Sequence, residues 1–244
     1  MKRIIYMVIM NFFYAPLWLI TLGRMGRKED IRTAQEKGDY ISRMVKRIIR
    51  RGRVTVTTTG TEHIPEDSGF ILFPNHQGLF DMLALFATCP KPLSVVIKKE
   101  ASNLILVKQV LSATRSLSMD REDVKDQVQI INEVTRRVKE GANFVIFPEG
   151  HRSRNGNKIL DFKSGTFKTA IKARCPIVPV ALINSFRPFD INSLKKEHVE
   201  VHYMEPIYPE QYMEMKSSEI AHLVHDRIQE EINKCLLEMP VKQK

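Results

Sequence analysis

Cysteine is scarce in this chain. Cys89, Cys175 and Cys235 are the three among 244 residues, odd in number and widely spaced, which suggests neither a disulfide framework nor a zinc site. A reducing, cytoplasm-facing compartment is the default expectation. Low-complexity tracts and repeats of solenoid period are also missing, so neither a disordered tail nor a repeat array is expected. A hydrophobic content of 43% over 244 residues instead suits one folded domain with a full-sized core and a short appendage.

Acidic residues are sparse at the amino terminus. Residues 1–53 hold 13 Lys and Arg against 4 Asp and Glu, which accounts for most of the net charge of +10. Such a segment suits an anionic lipid surface or nucleic acid. Aromatic residues are not interleaved with the basic run 43–53, which disfavours base stacking, and nucleic acid is not an expected partner.

Lipid is favoured by what precedes the basic run. From Ile4 to Gly23 no residue is charged, a stretch of 20 bracketed by Lys2 and Arg3 before and by Arg24, Arg27 and Lys28 after. That length just reaches across a bilayer. Asn11, Pro16 and the aromatics Tyr6, Phe12, Phe13, Tyr14 and Trp18 argue for the headgroup boundary instead. A signal peptide is disfavoured, because no small-residue cleavage site follows. Ile31–Arg53 reads as a basic helix. Residues 1–53 are therefore expected to form a membrane-docking two-helix element, and its removal to free the protein from membranes. Residues 54–244 form the remaining domain.

Beyond residue 53, strand-like and helix-like runs alternate, which predicts an α/β fold with a mixed, largely parallel central sheet flanked by helices. Strands are expected at 53–59, 69–74, 93–97, 143–147, 177–183 and 199–204, and helices at 81–87, 102–110, 125–140, 166–173 and 217–238. Two strands end alike, FILFP-NH at 70–76 and FVIFP-EG at 144–150, and the strand at 93–97 ends in Lys98, Lys99 and Glu100. Open α/β sheets place their sites outside the carboxyl ends of strands, so these three exits are expected to converge.

Within NHQGLFD, residues 75–81, His76 and Asp81 are five apart, about 140° from each other on a continuous helix. They meet only if His76 lies in a loop and the helix starts near Leu79. A carboxylate on one ring nitrogen would then fix the tautomer and leave the other nitrogen to accept a proton from an alcohol. Gln77 and Gly78 carry no hydroxyl, so the attacking oxygen would belong to the substrate. On spacing alone a helix cap or a satisfied buried histidine is the stronger reading. No third ligand supports a metal at His76. His198 with His202 reads as strand alternation, and His222 with His225 as a solvated helix face. The run EGHRSRNGN at 149–157 suits either a phosphate-binding loop or a plain surface turn.

At these residues the chain resembles the glycerophospholipid acyltransferase family, most closely its 1-acylglycerol-3-phosphate branch. NHQGLFD is similar to the family's N-H-x-x-x-x-D block, and FPEGHRSRNG to its F-P-E-G-T-R block. IKKE at 97–100, SMDRED at 118–123 and FKSGTFKTAIKARCPIVPVAL at 162–182 match further blocks in order. The resemblance implies His76 as general base with Asp81 as its partner. It implies contacts to the acceptor's glycerol phosphate from Lys98, Arg121, Glu149, Gly150 and Arg152.

It also implies acyl transfer to lysophosphatidate from acyl-carrier protein or acyl-coenzyme A, with no cofactor and no metal. The expected place is the cytoplasmic face of a bacterial cell membrane, in contact with its lipids. An acceptor such as glycerol 3-phosphate or another lysophospholipid, and a non-catalytic anionic-lipid binder, are the alternatives. Two positions depart from the family pattern, His151 in place of Thr and Gly78 in place of Ser.

Overall fold

The uncharged run at 4–23 does not form one helix. Pro16 has no N–H for the carbonyl four residues earlier, and its ring collides with that carbonyl, whereas a proline is well placed in a first helical turn. The computed structural model, which describes residues 2–27, 29–103, 105–120 and 122–238, accordingly shows α1 (Lys2–Asn11) and α2 (Ala15–Met25) bent by 87°. Among the described residues no single helix is long and apolar enough to cross a membrane. α1 buries Arg3, Met7 and Asn11, and α2 buries Trp18, Leu22 and Met25, one face of each. Ile5, Val8, Ile9, Phe12, Phe13, Leu17 and Ile20 stay exposed.

Arg3 is 1% exposed and ties α1 to the rest of the molecule. Its guanidinium donates to the carbonyls of Pro188 (3.0 Å), Gly52 (2.7 Å) and Lys195 (2.6 Å). α3 (Ala34–Arg51) starts at a capping box: the Thr33 hydroxyl accepts from the Glu36 amide, and the Glu36 carboxylate accepts from the Thr33 amide. That cap sets the helix start three residues inside the expected Ile31. Ile41, Met44, Val45 and Ile49 then form its buried stripe.

The strands are β1 (Val54–Thr59), β2 (Ile71–Pro74), β3 (Ser94–Lys98), β4 (Leu117–Met119), β5 (Phe144–Val145), β6 (Ile177–Ile183) and β7 (Glu197–Tyr203). The helices between and after them are α4 (Asp81–Thr88), α5 (Val107–Ala113), α6 (Val124–Lys139), α7 (Lys168–Ala173), α8 (Arg187–Asp190), α9 (Pro209–Tyr212) and α10 (Ser217–Glu238). One sheet runs β1-β7-β6-β2-β5-β3-β4, parallel throughout except for the β6–β7 pair. The mixed, largely parallel α/β fold read from the sequence is the fold observed.

Both sheet faces are covered, which is why β6 is buried at all seven positions. On one face Trp18, Leu22, Ile41 and Leu85 pack with Leu72 and Val180 of the sheet, so the amino-terminal helices share this core. On the other, Val138, Phe167 and Ile228 pack with Phe73 and Ile183.

Three local expectations differ. β5 shrinks to two residues because Pro148 brings no amide, and the ladder stops after the Ile146 N–H bonds to Leu72. α5 starts at Val107 rather than 102, where Gln109 caps the Leu106 amide. The three-residue edge strand β4 escapes the periodicity altogether, being too short for an alternating pattern.

Candidate active site

β2 and its parallel neighbours β5 and β6 deliver their carboxyl ends to one edge of the sheet. The chain leaving β2 is held from both sides. The Asn75 side chain exchanges two hydrogen bonds with the backbone of Leu182, donating at 3.0 Å and accepting at 2.7 Å, as a further ladder residue would. The His76 amide donates to Glu149 Oε1 (2.6 Å), and the His76 carbonyl accepts from the Ser153 amide (2.8 Å). The loop after β5 thus fixes the backbone of the loop after β2.

The helix begins at Asp81 itself, so His76 lies outside it and the two side chains meet: His76 Nδ1 is 2.7 Å from Asp81 Oδ2. Asp81 is fully buried in the first turn of α4, where the helix dipole favours a carboxylate. Its oxygens accept from the amides of Gln77 (2.7 Å) and Gly78 (3.0 Å) and from the Ser185 hydroxyl (2.5 Å). Every one of those partners is a donor. The carboxylate is therefore an acceptor toward the histidine as well, which puts the imidazole proton on Nδ1 and leaves Nε2 as the basic nitrogen. Nε2 has no protein partner among the described residues. The ring stacks on Phe147 at 4.1 Å between centroids and is about one-fifth exposed, 18%.

Behind the pair lies a buried polar network that sequence reasoning missed. The Ser185 amide donates to Gln77 Oε1 (2.7 Å), Gln77 Nε2 donates to Asn157 Oδ1 (2.8 Å), and Asn157 Nδ2 donates to Asn184 Oδ1 (3.0 Å). Asn184 holds a φ of +60°, a conformation asparagine tolerates better than most residues. A signal was there: IVPVALI-NS at 177–185 is a third apolar strand that ends at once in polar residues, like the exits of β2 and β5. The parallel β2–β6 pairing brings Ser185 beside Asp81.

Glu149 is 1% exposed, and its second oxygen accepts the Leu160 amide (3.1 Å). Both oxygens are thus engaged by backbone, and Glu149 holds the histidine loop in place. Burial pushes its carboxyl up to about 7, and the nearby Asp81 charge adds to the rise against the two amides. Gly150 sits at φ +77°, where a side chain is strained, and the Lys163 ammonium lies over it, 2.8 Å from the place a Cβ would occupy.

The acyltransferase family profile matches residues 55–183, more than half of the chain and the stretch that carries His76, Asp81, Glu149 and Arg152. The 1-acyl-sn-glycerol-3-phosphate acyltransferase of Haemophilus influenzae is 30% identical over 178 residues, covering 70% of this chain and 73% of that protein. The chain belongs to the acyltransferase family. The enzyme of the same name from Helicobacter pylori is 35% identical over 121 residues, 50% of this chain and 51% of that one. That from Cocos nucifera is 30% identical over 182 residues, 71% and 59%. Over these two relatives the match spans about half to three-fifths of their length. The crystal structure of the 1-acyl-sn-glycerophosphate acyltransferase of Thermotoga maritima shares the fold, with a TM-score of 0.76 at 21% identity over 96% of this chain and 98% of that chain.

Arg152 is half-buried and precedes Ser153, whose amide bonds the His76 carbonyl, and its guanidinium has no partner among the described residues. Lys98 closes β3, with β5 between it and β2, and is paired with Glu100 at 2.9 Å. Arg121 lies outside the described residues. His151 is exposed. Gly78 has a packing reason: a Cβ there would lie 3.2 Å from the Phe186 backbone, tighter than side chains normally tolerate.

Proposed function

We propose that this chain transfers an acyl group from a thioester to the 2-hydroxyl of 1-acylglycerol 3-phosphate, releasing phosphatidate and free thiol. The observation that carries this reading is the His76–Asp81 pair, with its carboxylate saturated by donors and its Nε2 left as acceptor, and with no hydroxyl or thiol side chain between residues 75 and 81. The acceptor's hydroxyl gives its proton to His76 Nε2 as its oxygen attacks the thioester carbonyl. The tetrahedral intermediate collapses, the C–S bond breaks, and the thiolate recovers the proton from Nε2. Asp81 stabilises the imidazolium between those steps. No acyl-enzyme forms.

Arg152, with Lys163 over Gly150, supplies positive charge for the acceptor's phosphate, and Lys98 and Arg121 are further phosphate contacts by family position. The exposed apolar residues of α1 and α2, beside the basic face of α3, support docking on an anionic membrane rather than crossing it. The names of the relatives support the acceptor. The donor is acyl-carrier protein or acyl-coenzyme A, and the site is the cytoplasmic face of a bacterial membrane.

The test is a panel of lysophosphatidate, glycerol 3-phosphate and other lysophospholipids, each with labelled acyl-carrier protein and acyl-coenzyme A, using the full chain on anionic vesicles. Lysophosphatidate is expected to be acylated at least ten-fold faster than the other acceptors. His76→Ala is expected to abolish transfer with the fold intact. Activity retained within a few-fold in that variant refutes the mechanism, and preference for another acceptor refutes the substrate.

A further inference from the structure

On the other side of β6 from β2, strand and helix periodicities bring together residues that are scattered in sequence. β7 projects Glu200 and His202 from one face, two residues apart. α10 presents Glu231 and Cys235 one turn apart to that same face. His202 Nδ1 lies 2.7 Å from Glu231 Oε1 and 3.7 Å from Cys235 Sγ, and Sγ lies 3.8 Å from Glu231 Oε1. The other ring nitrogen, Nε2, is 3.2 Å from Glu200 Oε2. Cys235 is buried and His202 nearly so.

We propose that Cys235, His202 and Glu231 form a binding site for a divalent cation of the zinc class, with Glu200 orienting the histidine. Tetrahedral bonds of about 2.3 Å to sulfur and about 2.0 Å to nitrogen and oxygen place sulfur about 3.5 Å from the other two ligands, and those two about 3.3 Å apart. Those three separations change by roughly 0.6 Å or less to reach that triangle, and Sγ, 4.0 Å from Nε2, swings about 1 Å further toward the Nδ1 side of the ring to meet a cation there. The ligand set, thiolate with imidazole and carboxylate, is one that selects zinc over magnesium or calcium. A carboxylate on the second nitrogen of a ligating histidine is the usual outer support, and Glu200 occupies that place. Glu200, His202 and Cys235 offer ligand atoms within 4.8 Å of one another, which keeps the supporting carboxylate in the same cluster.

Without a cation the arrangement is electrostatically uneven. Two carboxylates, Glu231 at 3.8 Å from Sγ and Glu200 on the far ring nitrogen of His202, crowd one half-buried corner. A divalent cation offsets those charges: the S–H bond breaks, its proton goes to solvent, and the sulfur, nitrogen and oxygen each donate a lone pair. The ion clips the carboxyl-terminal helix to β7. It lies apart from the dyad and takes no part in the transfer.

The full chain, reduced and freed of metal, is titrated with zinc against a chromogenic chelator, and with cobalt as a coloured substitute. One equivalent is expected to bind, with thiolate-to-cobalt charge-transfer absorption and a rise in Tm on zinc addition. Cys235→Ser is expected to remove the absorption and weaken zinc at least ten-fold. His202→Gln is expected to weaken zinc similarly, and Cys89→Ala to leave both unchanged. No stoichiometric uptake by the folded wild-type chain overturns the proposal, as does charge-transfer absorption that persists in Cys235→Ser. The wild-type cobalt spectrum decides even if a variant fails to fold.

Discussion

Ser185→Ala removes one hydroxyl that touches neither substrate nor the histidine. Ser185 and Asp81 are both fully buried, and the bond between them is 2.5 Å long. Alanine leaves Asp81 Oδ1 with only the longer bond from the Gly78 amide, at 3.2 Å, and no route for water to replace the lost donor. Hydrogen bonds to a charged group contribute about 1.5–3 kcal/mol, and a buried carboxylate that loses one forfeits most of that. The catalytic cost is one of orientation, because a carboxylate released by Ser185 can turn and carry the His76 ring out of line with the attacking hydroxyl. At about 1.4 kcal/mol per factor of ten, kcat is expected to fall roughly 10- to 150-fold.

KM for the acceptor is expected to change less than three-fold, because the proposed phosphate contacts lie on the other loop. Steady-state kinetics with labelled donor checks this, and urea unfolding shows that the variant still folds. A folded variant with kcat within two-fold of wild type would refute the idea that the network behind the dyad supports catalysis.

Arg152→Ala is expected to raise KM for lysophosphatidate on the order of 10- to 100-fold, with Arg152→Lys recovering part of the loss, since a lysine keeps the charge but not the fork. Initial rates over a range of acceptor concentrations check this. Glu149 predicts a pH effect on stability. Its folded carboxyl is raised from 4.5 to about 7, so the native state holds its proton more tightly, and stability is full below about 4.5 and falls as pH rises toward 7. The loss across that window is about 3 kcal/mol at most, and Glu149→Gln should flatten it in denaturation curves taken at several pH values.

For the amino terminus, deleting residues 1–27 would strip Trp18, Leu22 and Met25 from a core shared with the sheet, so point changes are the cleaner probe. Phe12→Ser combined with Phe13→Ser alters side chains that are 66% and 91% exposed. Vesicle sedimentation should show about 10- to 100-fold weaker binding at unchanged Tm.

Periodicity and punctuation in the sequence determined much of this molecule. The alternation of apolar runs determined the α/β class, Pro16 the break in the uncharged run, and the polar residues after β2 and β5 the edge where His76, Asp81 and Glu149 gather. These are local properties, because side-chain spacing along a strand or helix and the conformational limits of proline act within a few residues. Tertiary structure alone decided what meets across the sheet. Strand order put β6 next to β2, and so Ser185 under Asp81. It turned Glu149 inward to the His76 backbone, and it set β7 against α10, joining His202 to a cysteine 33 residues away. Burial then decided their chemistry: a carboxylate or thiol takes its proton affinity from the donors and charges packed around it, and those neighbours come from distant parts of the chain.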